Sequence, residues 1–200
     1  MCSSDLSEKS HTLGPMTNEI ADRYRRVADG FTRRAIAVPP ESWDNPAPCD
    51  GWLARDVVGH LVGWVPPFLH DGAGVELPAG PPIATDPAGA WSTMNDAIQA
   101  LLDDPQQAGR TFSHPQVGQH RLEEAIGMFI LSDVLIHTWD LARATGLDET
   151  LESTEVAMLF EGMQGIDEML RQSGHYGPKV DIAETAELQS RLIAFVGRQP

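Results

Sequence analysis

Asp133 and His137 are the residues whose types and spacing most directly suggest chemistry. Four positions apart, they fall on one face of a helix, one turn from each other. They lie in Ala125 to Trp139, the most apolar stretch of the chain, so the pair is expected to point inward. A buried carboxylate without a partner is costly, and a neighbouring imidazole compensates it only in part. A divalent cation compensates both groups at once. His60, within Val57-Val58-Gly59-His60-Leu61-Val62-Gly63-Trp64, is another polar group in an apolar run. Three nitrogen and oxygen ligands from two facing helices leave one coordination position open, the arrangement of catalytic rather than structural zinc sites. Spacing alone also allows a plainer reading. Asp133 and His137 form an i,i+4 ion pair, and His60 is a core histidine bonded to a backbone carbonyl.

The elements that must position these residues read as helical nearly throughout. A first helix is predicted from about Asn18 to Val38, with Ile20, Tyr24, Val27, Phe31 and Ile36 close to one stripe, ended by Pro39-Pro40. A second starts near Leu53 and reaches about Val65, where Pro66-Pro67 breaks or kinks it. The third opens on Asp86 as cap with Pro87 in the first turn, and carries Trp91, Met94, Ile98 and Leu101/Leu102 as far as Pro105. The polar connection Gln106 to Gln119 holds one plausible extended piece, Arg110 to Ser113. A fourth helix, about Leu122 to Thr145, stops at Gly146 and is apolar on nearly every side, as the most buried helix of a bundle would be. A fifth, roughly Ser153 to Gln172, and a short last one near Glu184 to Val196 complete the chain. The fold class is therefore all-α, a four-helix bundle with additional C-terminal helices.

The run Pro48-Cys49-Asp50-Gly51-Trp52-Leu53-Ala54-Arg55-Asp56-Val57-Val58-Gly59-His60-Leu61 resembles the second-helix signature of the DinB/YfiT-like superfamily. More closely, it is similar to the metal-binding N-terminal domain of mycothiol-dependent maleylpyruvate isomerases. Asp133-Val-Leu-Ile-His137-Thr-Trp-Asp140-Leu-Ala-Arg-Ala-Thr-Gly146 resembles that family's fourth-helix motif, and the ending from Tyr176 to Pro200 resembles a small single-domain branch. The resemblance spans about Thr17 to Pro200. It implies a metal held by a His of the second helix and an acid-x₃-His of the fourth, which fall on His60, Asp133 and His137. The isomerase has Glu where this chain has Asp133, and Leu53 stands where relatives often carry a Thr cap. The isomerase also has a further C-terminal domain for which this chain leaves no room, so maleylpyruvate activity is not carried over.

Composition narrows the partners. The chain has 200 residues, 42% hydrophobic and 22% charged, an ordinary globular balance with enough length for one domain and a core. Fourteen basic against 29 acidic residues give a net charge of −15, which disfavours nucleic acid and anionic membrane surfaces. The apolar stretch Ala125 to Trp139 is too short to span a bilayer unaided. Two cysteines, Cys2 and Cys49, make no disulfide framework, so a reducing cytoplasmic setting is expected. Residues 1–15 are polar and lack the apolar core of a signal peptide. They are expected to be a disordered extension before a single domain at 16–200, and Met16, which follows Gly14-Pro15, is a candidate for the original start.

Other candidates carry less. Asp140, three residues after His137, is expected either to accept a hydrogen bond from it or to cap a loop. Cys49, just before a helix N-terminus, reads either as a favoured thiolate or as a small buried residue; His70, His114 and His120 as solvent-facing, the last two able to reach a site mouth; His175 as part of a turn. Three functions follow. In the first, a metal-dependent enzyme uses a low-molecular-weight thiol, by resemblance mycothiol, to transfer to or isomerise a small electrophile. In the second, it is a metal-dependent hydrolase. In the third, it is a non-catalytic metal- or ligand-binding bundle. Zinc suits two imidazoles and a carboxylate, with nickel, iron or manganese also compatible. Apolar positions on the first and fifth helices would permit a homodimer.

Overall fold

A computed structural model describes residues 19–174 and 176–200; the expected extension at 1–15, Met16 as a start and the turn at His175 lie outside them. The protein is mainly α-helical. In chain order, α1 spans Glu19–Ala37, α2 Ala54–Ala73, α3 Pro87–Asp103 and α4 Pro105–Ala108. Strands β1 (Thr111–His114) and β2 (Gly118–Arg121) follow, then α5 (Leu122–Ala125), α6 (Leu131–Thr145), α7 (Ser153–Gln164), α8 (Asp167–Gln172) and α9 (Leu188–Phe195). Helix α1 packs on α3 and α6, and α2 packs on the same two, so a ring of four helices encloses the core.

Helix α1 buries Tyr24, Val27, Ala28, Phe31 and Ala35. Ile36, expected in that stripe, is 73% exposed, because a 3.6-residue period carries the stripe from Phe31 to Ala35 and turns the next position outward. Arg34, at the foot of α1, donates to the carbonyls of Gly30, Asp148 and Thr150, tying down the loop after α6.

Helix α2 does not end at Pro66-Pro67 but continues to Ala73. Two prolines remove two amide donors, yet Pro67 is exposed and Pro66 half-buried, so the freed carbonyls lie toward the outer side. On the inner side Leu61, Val65 and Leu69, one turn apart, are all fully buried and keep the helix docked. Gly74, at φ +62°, then caps it through a bond to the His70 carbonyl.

The long fourth helix expected at Leu122 to Thr145 is present as one apolar run with a π-turn, Ile126–Ile130, between α5 and α6. The widened turn lets Gly127 face Ile20, where an added Cβ would stand 3.2 Å from the Ile20 side chain. This run is long and apolar enough to cross a membrane, but 72% of its most apolar 18-residue window is buried inside the protein, as befits the central core helix.

The extended piece at Arg110 to Ser113 is one arm of an antiparallel hairpin, with Phe112 opposite His120. The second arm, Gly-Gln-His-Arg, has no β-forming residues; tertiary docking makes it a strand. Phe112, fully buried, packs over Gly72 of α2, where a Cβ would fall 2.0 Å from its ring. The predicted fifth helix is split at Gly165-Ile166, a glycine at the C-cap of α7, and the last helix begins only at Leu188.

Candidate metal centre

The structure brings His60, Asp133 and His137 together between α2 and α6. His60 Nε2 lies 3.0 Å from Asp133 Oδ2, and His137 Nε2 lies 3.4 Å from Asp133 Oδ1. Ligating atoms of all three fall within 4.8 Å of one another. In a tetrahedral site with bonds of about 2.0–2.1 Å, neighbouring donors stand roughly 3.3 Å apart. The two imidazole–carboxylate distances lie close to that value, and the donor types suit a divalent ion. His60 and Asp133 are partly accessible, with 33% and 23% of their side chains exposed, while His137 is buried at 5%.

Each group is held by a neighbour. The Trp64 indole N–H, one turn after His60, donates to Asp133 Oδ2 at 2.8 Å. Trp52 lies with its ring centroid 5.1 Å from that of His60 and 5.8 Å from that of His137, shielding one side. The loop before α2 sets Trp52 in place: Ala47 N–H bonds the Trp52 carbonyl, Ala54 N–H the Asn45 carbonyl, and Asn45 Nδ2 reaches Ala144 at the end of α6. Leu53 has no capping side chain, yet its amide donates to Asp56 Oδ2 at 2.9 Å, so half of a capping box survives.

Behind the site, Asp140 is fully buried and accepts from His137 Nδ1 at 2.9 Å. With that nitrogen bonded, Nε2 is the one aimed at Asp133 and His60, an orientation typical of metal-ligating histidines. Arg198 and the half-buried Cys49 also contact Asp140. Burial works against charge on His137, but the Asp133 and Asp140 carboxylates outweigh it and hold the imidazole well above its usual value. Burial likewise opposes ionisation of Asp133, yet His137 and His60 keep it well below the usual carboxylate range. Asp140 is lowered too, its burial outweighed by His137 and Arg198. Tyr176 is pushed up to about 12 by burial and by the negative charge of Asp133, so it keeps its proton.

The other candidates settle elsewhere. His70 is exposed and paired with Asp71 and Glu76. His114 packs on Phe68 and His120 on Phe129, within an aromatic cluster beside the hairpin. Cys49 is half-buried and engaged rather than simply packed away. Asp140 takes the first of its two expected roles. Sequence reasoning missed Trp52, Trp64 and Arg198. The His60-x₃-Trp64 spacing was a usable signal, whereas nothing local marks Arg198.

A helical bundle with a His/Asp/His donor set between its second and fourth long helices is the class that fold and site define. The chain belongs to the mycothiol maleylpyruvate isomerase N-terminal domain family, whose profile matches residues 24–142. It is also similar to uncharacterized proteins of two Mycobacterium tuberculosis strains, CDC 1551 / Oshkosh and ATCC 25618 / H37Rv. Each is 29% identical over 130 residues, 64% of this chain and 69% of the relative. No solved structure matches.

Proposed function

We propose that His60, Asp133 and His137 hold one divalent metal ion, zinc in the first instance, and that the protein is a cytoplasmic thiol-dependent transferase or isomerase. The observation that carries this is the convergence of two imidazole Nε2 atoms on one carboxylate, with the second nitrogen of His137 already bonded to buried Asp140. A bound divalent ion would supply the positive charge that lowers the pKa of a thiol. His60, Asp133 and His137 would hold that ion, Trp64 would fix the Asp133 carboxylate, and Trp52 would keep water from one side. The family to which the chain belongs supports mycothiol as the thiol, and the partly exposed edge at His60 and Asp133 supports access for a small electrophile.

Elemental analysis of the purified protein beside His60→Ala tests the metal: near-stoichiometric metal in the first and little in the second is expected. Equal, negligible content in both would defeat the reading. Mycothiol is expected to raise the melting temperature of the metal-loaded protein and not of the metal-free one. A rise independent of metal would separate the thiol from the metal centre.

A further inference from the structure

We infer that Arg198, three residues beyond the end of α9, is a positioning residue for the metal centre, acting through Asp140 on His137. This rests on the metal reading above and adds to it a part played by the C-terminal strap, which lies outside the stretch matched by the family profile.

The geometry is a two-point hold. Arg198 Nη2 lies 3.0 Å from Asp140 Oδ2, and its Nε lies 3.2 Å from Oδ1, so the guanidinium grips both oxygens. Oδ2 is also the oxygen that receives His137 Nδ1. The plane of this carboxylate is therefore set by Arg198, and the imidazole is set by the carboxylate. Cys49 closes the remaining side, its Sγ 3.5 Å from Asp140 Oδ2 and 3.3 Å from Arg198 Nη2.

Arg198 is itself anchored. Its Nη1 donates to the Val196 carbonyl, and its amide donates to the Ile193 carbonyl at the end of α9. Gly197 makes the reversal at φ +88°, and a Cβ there would stand 3.0 Å from the Pro178 carbonyl oxygen. Val196 is fully buried, and Arg143 of α6 reaches the Gln199 carbonyl. The strap is thus docked on both flanks of the arginine. A guanidinium so held fixes the direction of a histidine on a different element, 61 positions earlier in the chain. Without it, Asp140 loses two of its donors and is free to turn about its side-chain bond, and His137 loses a fixed acceptor.

The test compares wild type, Arg198→Met and Arg198→Lys, with helical content checked by circular dichroism. Arg198→Met is expected to weaken metal binding about 10–100-fold in competition with a chelator. It should also shift the ligand-field bands of the cobalt-loaded protein. Arg198→Lys, which keeps the charge but not the fork, should recover only part of the loss. A separate arm needs no metal: the ring Nδ1–H of His137 should give a slowly exchanging NMR signal in metal-free wild type and lose it in Arg198→Met. Should Arg198→Met fold poorly, the lysine variant carries both readouts. Retained metal affinity, an unchanged cobalt spectrum and a retained Nδ1–H signal, even with a lower melting temperature, would make Arg198 merely structural. Failure of wild type to bind metal would instead strike the metal reading, leaving the NMR arm to decide the role of Arg198.

Discussion

Metal uptake by this protein should release about one proton at pH 7 and tighten as pH rises. The reason is the environment of His137, whose two ring nitrogens each face a carboxylate: Nε2 is 3.4 Å from Asp133 Oδ1 and Nδ1 is 2.9 Å from Asp140 Oδ2. These charges raise its pKa well above the ordinary 6.5, so the metal-free ring carries a proton on each nitrogen near neutrality. A ligating nitrogen must shed its proton. One proton exchanged per ion makes affinity rise about tenfold per pH unit, or about 1.4 kcal/mol, until pH passes the raised value. From pH 6.0 to 7.5 the gain is on the order of 30-fold. The His137 contribution to metal-free stability moves the opposite way. In the metal-free protein the His137 contribution is complete below pH 6.5 and is lost as pH rises through the folded value. The contributions of Asp133 and Asp140, whose values are lowered, are present above 3.8 and are lost as pH falls through their folded values. The melting-temperature increment from metal should therefore be larger at pH 8 than at pH 6. Isothermal titration at pH 7 in two buffers of different ionisation enthalpy reads the proton directly, and chelator competition at the two pH values reads the slope. Buffer-independent heats together with equal affinities would refute the reasoning, because His137 would then have been neutral before the metal arrived.

Trp64→Phe keeps an aromatic ring but deletes the N–H that donates to Asp133 Oδ2, and metal affinity by competition is expected to fall about tenfold with little change in metal-free stability. Glu155, 1% exposed, takes both oxygens of its carboxylate to Arg23, with Arg26 nearby. Glu155→Ala strands the half-buried Arg23 between α1 and α7 and should cost about 3 kcal/mol in denaturant unfolding. Gly72→Ala drives a methyl group into the Phe112 ring, so a loss of about 1–3 kcal/mol is expected, with faster amide exchange in β1 and β2. An unshifted melting temperature there would mean that the hairpin is not seated on α2 through this contact.

The helices that carry the site were legible because their apolar periodicity is long and their ends are marked. Asp86 bonds the Gly89 amide as a cap, and Gly146 closes α6 at φ +70°. The two prolines of α2 carry a local signal to stop, since each removes an amide donor, but Leu61, Val65 and Leu69 hold the helix down through tertiary burial that no local signal contains. β2 was invisible for the opposite reason. Gly-Gln-His-Arg has no intrinsic preference to read, and it pairs only because β1 is pinned by Phe112 over Gly72. At Ile36 one position of drift along the 3.6-residue period moves a side chain from core to solvent.

The donor triad divides along the same line. That Asp133 and His137 share a helix face follows from four-residue spacing, a property of any α-helix, and needs no fold to state it. That His60 Nε2 lies 3.0 Å from the Asp133 carboxylate is a matter of how α2 crosses α6, which no spacing within either helix contains. Arg198 lies further still from local reading. Its hold on Asp140 joins residues 58 positions apart, and it exists only because α9 packs on α7 and the strap after it reaches back to α6. Periodicity is written in neighbouring residues, whereas the direction of a buried imidazole depends on acceptors delivered from remote parts of the chain.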